Sequence, residues 1–185
     1  MAEDLEATKG LFEAMLFIAG EPLSFRFFEK KSQLAKEQVR HALDDLVADY
    51  SERNGGLLIL EVAGGYQIVT NPRFGPKLRD IFQSKKKDKL SQSALEVLAI
   101  IAYKQPIHIA AIDDLRGANS RQHIGPLMKR NLIKPVSRLE MPGRPMAYGT
   151  TTEFLKVFGL NSIKDMPKLS EIKEMNFEPL GEEEG

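Results

Sequence analysis

The stretch from Leu90 to Pro106 carries a helix with its start and stop written in, and it limits what the rest of the chain can become. Ser91 offers a side-chain oxygen to first-turn amides that otherwise lack partners. Leu95, Leu98 and Ala102, with Val97 and Ile101, recur at helical spacing and leave little polar surface, so the helix is expected to be buried on most sides. Pro106 disfavours helical geometry at Gln105 and ends it. Two shorter helical segments follow, and then Met141-Pro142-Gly143-Arg144-Pro145 reads as a tight turn between extended runs Ile133–Leu139 and Met146–Thr150. A buried helix, two more helices and a β-hairpin is the order of a winged helix.

The first half repeats that order. Leu11, Met15, Ile18 and Phe12, Leu16, Ala19 give a helix over residues 5–19 whose apolar face is too broad for one neighbour to cover. Ser24 is placed to cap a short helix, and residues 36–50 form a third with Val39, Leu43, Leu46, Val47 and Tyr50 inward. That third helix starts after Ala35, which has no side-chain acceptor. Leu57–Val62 and Tyr66–Thr70 are extended runs joined by Ala63-Gly64-Gly65, whose glycines are expected to supply the positive φ of a hairpin turn. Asn71-Pro72 opens a further helix carrying Phe74, Leu78, Ile81 and Phe82, expected to pack back on this unit.

In the second half, residues 110–115 read as a helix with Ile112 and Leu115 inward, closed by Gly117. Ser120 is expected to cap the third helix, which holds Gly125-Pro126 and ends at Asn131. A last helix spans residues 153–158. The fold class is therefore mainly α with small β-hairpins (α+β), as two tandem winged-helix domains. The expected boundaries are 1–84, a basic linker over 85–90, a second domain over 91–166, and an acidic tail over 167–185.

Charge separates these parts although the whole chain is neutral. Residues 1–84 carry net −3, residues 85–170 net +8, and residues 171–185 net −5. The chain has no cysteine, so disulfide and thiol chemistry are excluded and a cytoplasmic location fits. No apolar run approaches the roughly 20 residues that span a bilayer. His41, His108 and His123 lack metal-ligand spacing. No nucleophile triad, phosphate loop or dinucleotide fingerprint is present, and Asp113-Asp114 reads as a solvated helix surface. The expectation is no catalytic residue, no cofactor and no metal: a protein that works by holding other molecules. Sequence-specific DNA reading is the alternative, as a winged-helix transcriptional regulator. It is weakened because the first unit's third helix mixes Lys36 and Arg40 with Glu37, Asp44, Asp45 and Asp49.

Four stretches together resemble a known family. They are Glu13-Ala14-Met15-Leu16-Phe17-Ile18-Ala19-Gly20-Glu21-Pro22-Leu23, Glu61-Val62-Ala63-Gly64-Gly65-Tyr66, Leu90 through Pro106, and Pro142-Gly143-Arg144-Pro145 with Tyr148-Gly149-Thr150-Thr151. In this order and spacing they are similar to bacterial segregation and condensation protein B, the tandem winged-helix subunit of the SMC (structural maintenance of chromosomes) condensin. The chain departs from that pattern at Ile109 and Ala111, and with His123 and Gly125-Pro126 in the third helix of the second unit. The resemblance implies a non-catalytic homodimer, joined through its first domain, that grips a kleisin (segregation and condensation protein A) through its second. It thereby acts on the SMC ATPase in chromosome condensation and partition, with DNA contacted indirectly and no membrane involved. On that reading Tyr103, Arg116, Arg144 and Tyr148 are the candidates for the kleisin contact. Leu11, Phe12, Met15 and Phe17 are the candidates for the dimer contact.

Overall fold

The computed structural model describes residues 2–82, 90–168 and Glu171, with side chains from Leu5 onward. In the first unit α1 (Ala2–Ala19) leads through β1 (Leu23–Ser24) to α2 (Phe25–Ser32) and α3 (Lys36–Glu52). The hairpin β2 (Leu57–Val62) and β3 (Gly65–Thr70) follows, then a 3-10 turn (Pro72–Phe74) and α4 (Gly75–Ile81). The second unit runs α5 (Gln92–Lys104), β4 (Ile107–His108), α6 (Ile109–Arg116), α7 (Arg121–Lys129), β5 (Ile133–Arg138), β6 (Met146–Thr150) and α8 (Thr152–Phe158), with a closing 3-10 turn (Ile163–Asp165). Each unit has a three-stranded antiparallel sheet in the same arrangement, β1-β3-β2 and β4-β6-β5. The order is that of a winged helix, and it occurs twice.

Each unit has its own core. Phe12, Leu16, Phe28, Val39, Leu43, Leu46, Ile59 and Tyr66 fill the first. Val97, Leu98, Ile101, Ile112, Ile124, Leu127, Ile133 and Phe154 fill the second. The α5 helix keeps the limits its sequence sets: the Ala94 amide donates to Ser91 Oγ at 3.3 Å, and Gln105 is its C-cap. Leu95 departs from the expected burial, because it turns to solvent while Val97, Leu98, Ile101 and Ala102 go inward.

Local chemistry accounts for other boundaries. At α3 Ala35 offers the first-turn amides no side-chain acceptor, and the entry is secured instead by Gln38, whose Oε1 accepts the Ala35 amide at 3.0 Å. The φ of 59° at Gln33 and 67° at Gly117 ends α2 and α6 in the left-handed geometry common at helix C-termini. Asn131 does the same after α7, at φ 56°. The Phe154 amide donates to Thr151 Oγ1 at 3.1 Å and starts α8.

Besides Leu95, four expectations are corrected. The first-wing turn is Ala63–Gly64, with φ of 54° and 76°; Gly65 is already in β3. A Cβ on Gly65 would lie 2.6 Å from the Leu23 carbonyl oxygen, so that glycine serves the close approach of β1 rather than the turn. Ser120 does not cap α7. Its hydroxyl is fully buried under Arg116, and Asn119 Oδ1 takes the Arg121 amide at 3.0 Å instead. Leu115 is exposed: on this short helix Ile112 is buried in the core, and Ile109 and Ala111 pack partly against it. Ile81 and Phe82 also face outward, so α4 does not pack back as its pattern suggests. The linker reading falls on residues 85–89 and most of the tail reading beyond Lys168, both outside the described residues.

Candidate partner-binding surfaces

The second unit carries a groove of about 490 Å³ between its wing and the starts of α6 and α7. Ile109 and Ala110 form one wall and Met141, Pro142, Pro145, Met146 and Tyr148 the other. β6 presents Tyr148 opposite Ile107 and Pro135, and its half-buried side chain packs against the second core while lining the groove. The polar groups at the rim are His108, Asp113, Asn119 and Arg121. Three of them already hold the backbone. His108 Nδ1 accepts the Ala111 amide at 3.3 Å, Asp113 Oδ1 the Ser120 amide at 2.7 Å, and Asn119 Oδ1 the Arg121 amide at 3.0 Å. Arg121 is exposed and forms no ion pair among the described residues, so it is the rim's available charge.

The four predicted contact residues fall in different places. Tyr148 lines this groove. Arg144 is exposed at the wing turn, at φ 39°, and its carbonyl accepts from Arg138 Nη1 at 3.2 Å. Tyr103 lies away from the groove, where its hydroxyl donates to the Pro167 carbonyl at 2.7 Å. Arg116 is a fastener of the fold: its side chain is 8% exposed. Its guanidinium donates to Glu96 Oε2 at 3.1 and 3.2 Å, to the Asn119 carbonyl at 3.3 Å and to Ser120 Oγ at 3.0 Å. The residues that sequence reading did not single out are Met141 and Met146, which show in the sequence only as apolar residues flanking the wing turn; Arg121 reads there as part of a basic face, not as a neighbour of that turn.

On the first unit, α1 divides into two faces. Phe12 and Leu16 are buried in the core, and Met15 is half-buried against it. Leu11, Phe17 and Ile18 are 50%, 75% and 83% exposed. The same helix is tied to α3 by polar groups: Lys9 Nζ lies 2.5 Å from Asp49 and 3.0 Å from Glu6, and the Tyr50 hydroxyl donates to Glu13. Those bonds hold Lys9 in its charged form, raising its pKa, while burial and then Glu13 raise that of Tyr50. On α3, Arg40 stacks over Phe25 at 4.5 Å and donates to the Tyr66 hydroxyl at 3.0 Å, which draws it away from any phosphate.

No group of His, Cys, Asp and Glu able to hold a metal ion exists among the described residues. No described helix is long and apolar enough to cross a membrane. Two wing-bearing units in tandem, one with an apolar groove and one with an uncovered apolar helix face, define a tandem winged-helix protein built for contact with other chains.

Comparison with known proteins specifies the kind. A family model described as segregation and condensation complex subunit ScpB matches residues 10–169. Segregation and condensation protein B of Ruminiclostridium cellulolyticum is 38% identical over 182 residues, covering 97% of this chain and 96% of its own. That of Desulforamulus reducens is 40% identical over 166 residues, covering 90% and 91%. Among solved structures, a conserved hypothetical protein from Chlorobium tepidum is 33% identical at a TM-score of 0.41, covering 86% of this chain and all of its own. A structure described as a dimer of ScpB N-terminal domain complexed with ScpA peptide is 23% identical at a TM-score of 0.40, covering 42% and 98%. The chain belongs to the family of segregation and condensation complex subunit ScpB.

Proposed function

We propose that this chain is a non-catalytic scaffold subunit of the bacterial SMC–kleisin complex, working in the cytoplasm at the nucleoid. It pairs with a second copy through α1 and holds a segment of the kleisin, segregation and condensation protein A, in the groove beside the second wing. The groove carries this reading. Its walls are methionine, proline, isoleucine and tyrosine, side chains that bury an apolar peptide face, and Arg121 at the rim suits a carboxylate on that peptide. Methionine adapts to irregular partners and proline loses no further backbone freedom on binding. The exposed Leu11, Phe17 and Ile18 support the dimer, since apolar side chains on one uncovered helix face gain free energy when a second copy removes them from water.

The test is co-expression with the kleisin, followed by mass determination of the purified assembly and titration of Tyr148→Ala, Met146→Asp and Arg121→Glu variants. The expected result is a complex containing two copies of this chain, with affinity lowered by each variant. A complex that forms equally well with all three would move the kleisin contact to the first unit. Absence of any complex at micromolar concentration would end the reading. Direct sequence-specific DNA regulation has less support: the exposed middle of α7 is Gly125, Pro126 and Met128, which offer base edges no hydrogen-bonding side chain, and Arg121, Gln122 and Lys129 are confined to its two ends.

A further inference from the structure

The turn of a two-residue hairpin leaves its own two amides without partners in the sheet. In the first wing both are taken by the other unit. The Ala63 amide donates to the Leu160 carbonyl at 2.8 Å, and the Gly64 amide donates to Asn161 Oδ1 at 2.7 Å. Asn161 returns the contact through Nδ2, which donates to Glu61 Oε1 at 3.1 Å. One residue thus accepts from the tip of the wing and donates to its flank.

The acceptors are held in place before the wing arrives. Gly159 ends α8 at φ 65°, and the Leu160 amide closes back on the Leu155 carbonyl at 2.9 Å, which aims the Leu160 carbonyl outward. On the far side, Ser162 and Asp165 fix the next turn, with the Ser162 amide on Asp165 Oδ2 at 2.7 Å. The contact therefore joins two locally rigid pieces. It is also polar and open to water, and no helix or strand of one unit packs broadly on one of the other among the described residues. Exposed hydrogen bonds of this kind are individually weak, so the three can hold the docked arrangement together and still be given up together without unfolding either unit.

We infer that Asn161 is a clasp that docks the first wing onto the second unit, holding the two at one angle and releasing them without unfolding either core. The clasp sets where the groove stands relative to the exposed face of α1. It does not depend on what occupies the groove.

The native chain has no cysteine, so spin labels can be placed at two exposed positions by Glu37→Cys on α3 and Lys129→Cys on α7. Labelled protein is diluted into excess unlabelled chain so that only distances within one protomer are read. The expected parent result is a single narrow distance distribution. Asn161→Asp sets a carboxylate against Glu61 and should abolish the single peak; adding Glu61→Lys to that variant should restore it. A broad distribution in the parent, no change with Asn161→Asp, or failure of the double variant to recover would overturn the proposal. Amide exchange supplies the second readout. The Ala63 and Gly64 amides should exchange about tenfold faster in Asn161→Asp, while those of Leu43 and Leu98 stay unchanged. Rapid exchange of both turn amides in the parent would overturn it.

Discussion

Gln105 Oε1 accepts the Thr150 amide at 2.6 Å and the Thr150 hydroxyl at 3.1 Å, joining the end of α5 to the last residue of β6. The same oxygen would lie 2.8 Å from a Cβ added at Gly149, so the glycine keeps the approach open. Gln105→Ala would leave two half-buried donors unmatched, at a cost of about 1–3 kcal/mol to the second unit. Urea denaturation followed at a second-unit probe should show the midpoint drop, with the first-unit transition unmoved. An unchanged midpoint would show that water replaces the glutamine without loss.

Arg116 separates holding the fold from holding a partner. Its guanidinium bridges Glu96 on α5 and Ser120 before α7 and has little surface left to offer. Arg116→Ala should destabilise the second unit by about 1–3 kcal/mol, because Ser120 and the Asn119 carbonyl lose their donor. Kleisin affinity of the folded variant should equal that of the parent. Weaker binding with undiminished stability would return Arg116 to the contact surface.

Along α1, substitutions on the two faces should have opposite signatures. Phe17→Glu and Ile18→Glu alter side chains that are largely in solvent, so helix content should persist while light scattering reports a monomer. Phe12→Ala removes a ring that is fully buried 4.8 Å from Phe28 and should cost about 3–5 kcal/mol of stability. A dimer that survives both glutamates would place the pairing surface elsewhere.

The first unit should weaken in alkali. Lys9 is held protonated by Asp49 and Glu6, Tyr50 by burial and Glu13, and Tyr66 by burial and Glu61; all three have pKa values above the ordinary 10.5, 10.0 and 10.0. A group that binds its proton more tightly when folded contributes fully below its unfolded pKa and loses that contribution as pH rises beyond it. First-unit stability should therefore hold to about pH 9 and decline from pH 10 upward, as urea midpoints across that range would show. A midpoint unchanged to pH 11 would contradict the assignment.

Much of the architecture was legible because caps, stops and helical period agree, as in Ser91, Val97–Ile101 and Pro106. What escaped was pairing across distance. Arg116 and Glu96 stand twenty residues apart and look like separate surface charges until α5 and α6 pack. The glycines Gly64 and Gly65 look equivalent in a turn, yet only the path of β1 distinguishes them. Asn119 and Ser120 are both good caps, and the choice falls to Asn119 because Arg116 claims the serine hydroxyl. The spacing of Phe74, Leu78, Ile81 and Phe82 marks an apolar helix but cannot say whether anything covers it. For the groove, the wing turn was visible in the sequence, but its nearness to Arg121 was not.

The chain beyond α8 does more than leave the second unit. Leu160, Ile163 and Met166 lie against the second core, and the Tyr103 hydroxyl fastens Pro167 across the flank of α5. A protein cut after Gly159 would retain every helix and strand of that winged helix while baring the apolar side those residues shelter. The natural frontier of the module thus falls several residues past its last regular element, and any dissection that stops at the helix should yield sticky, poorly soluble material.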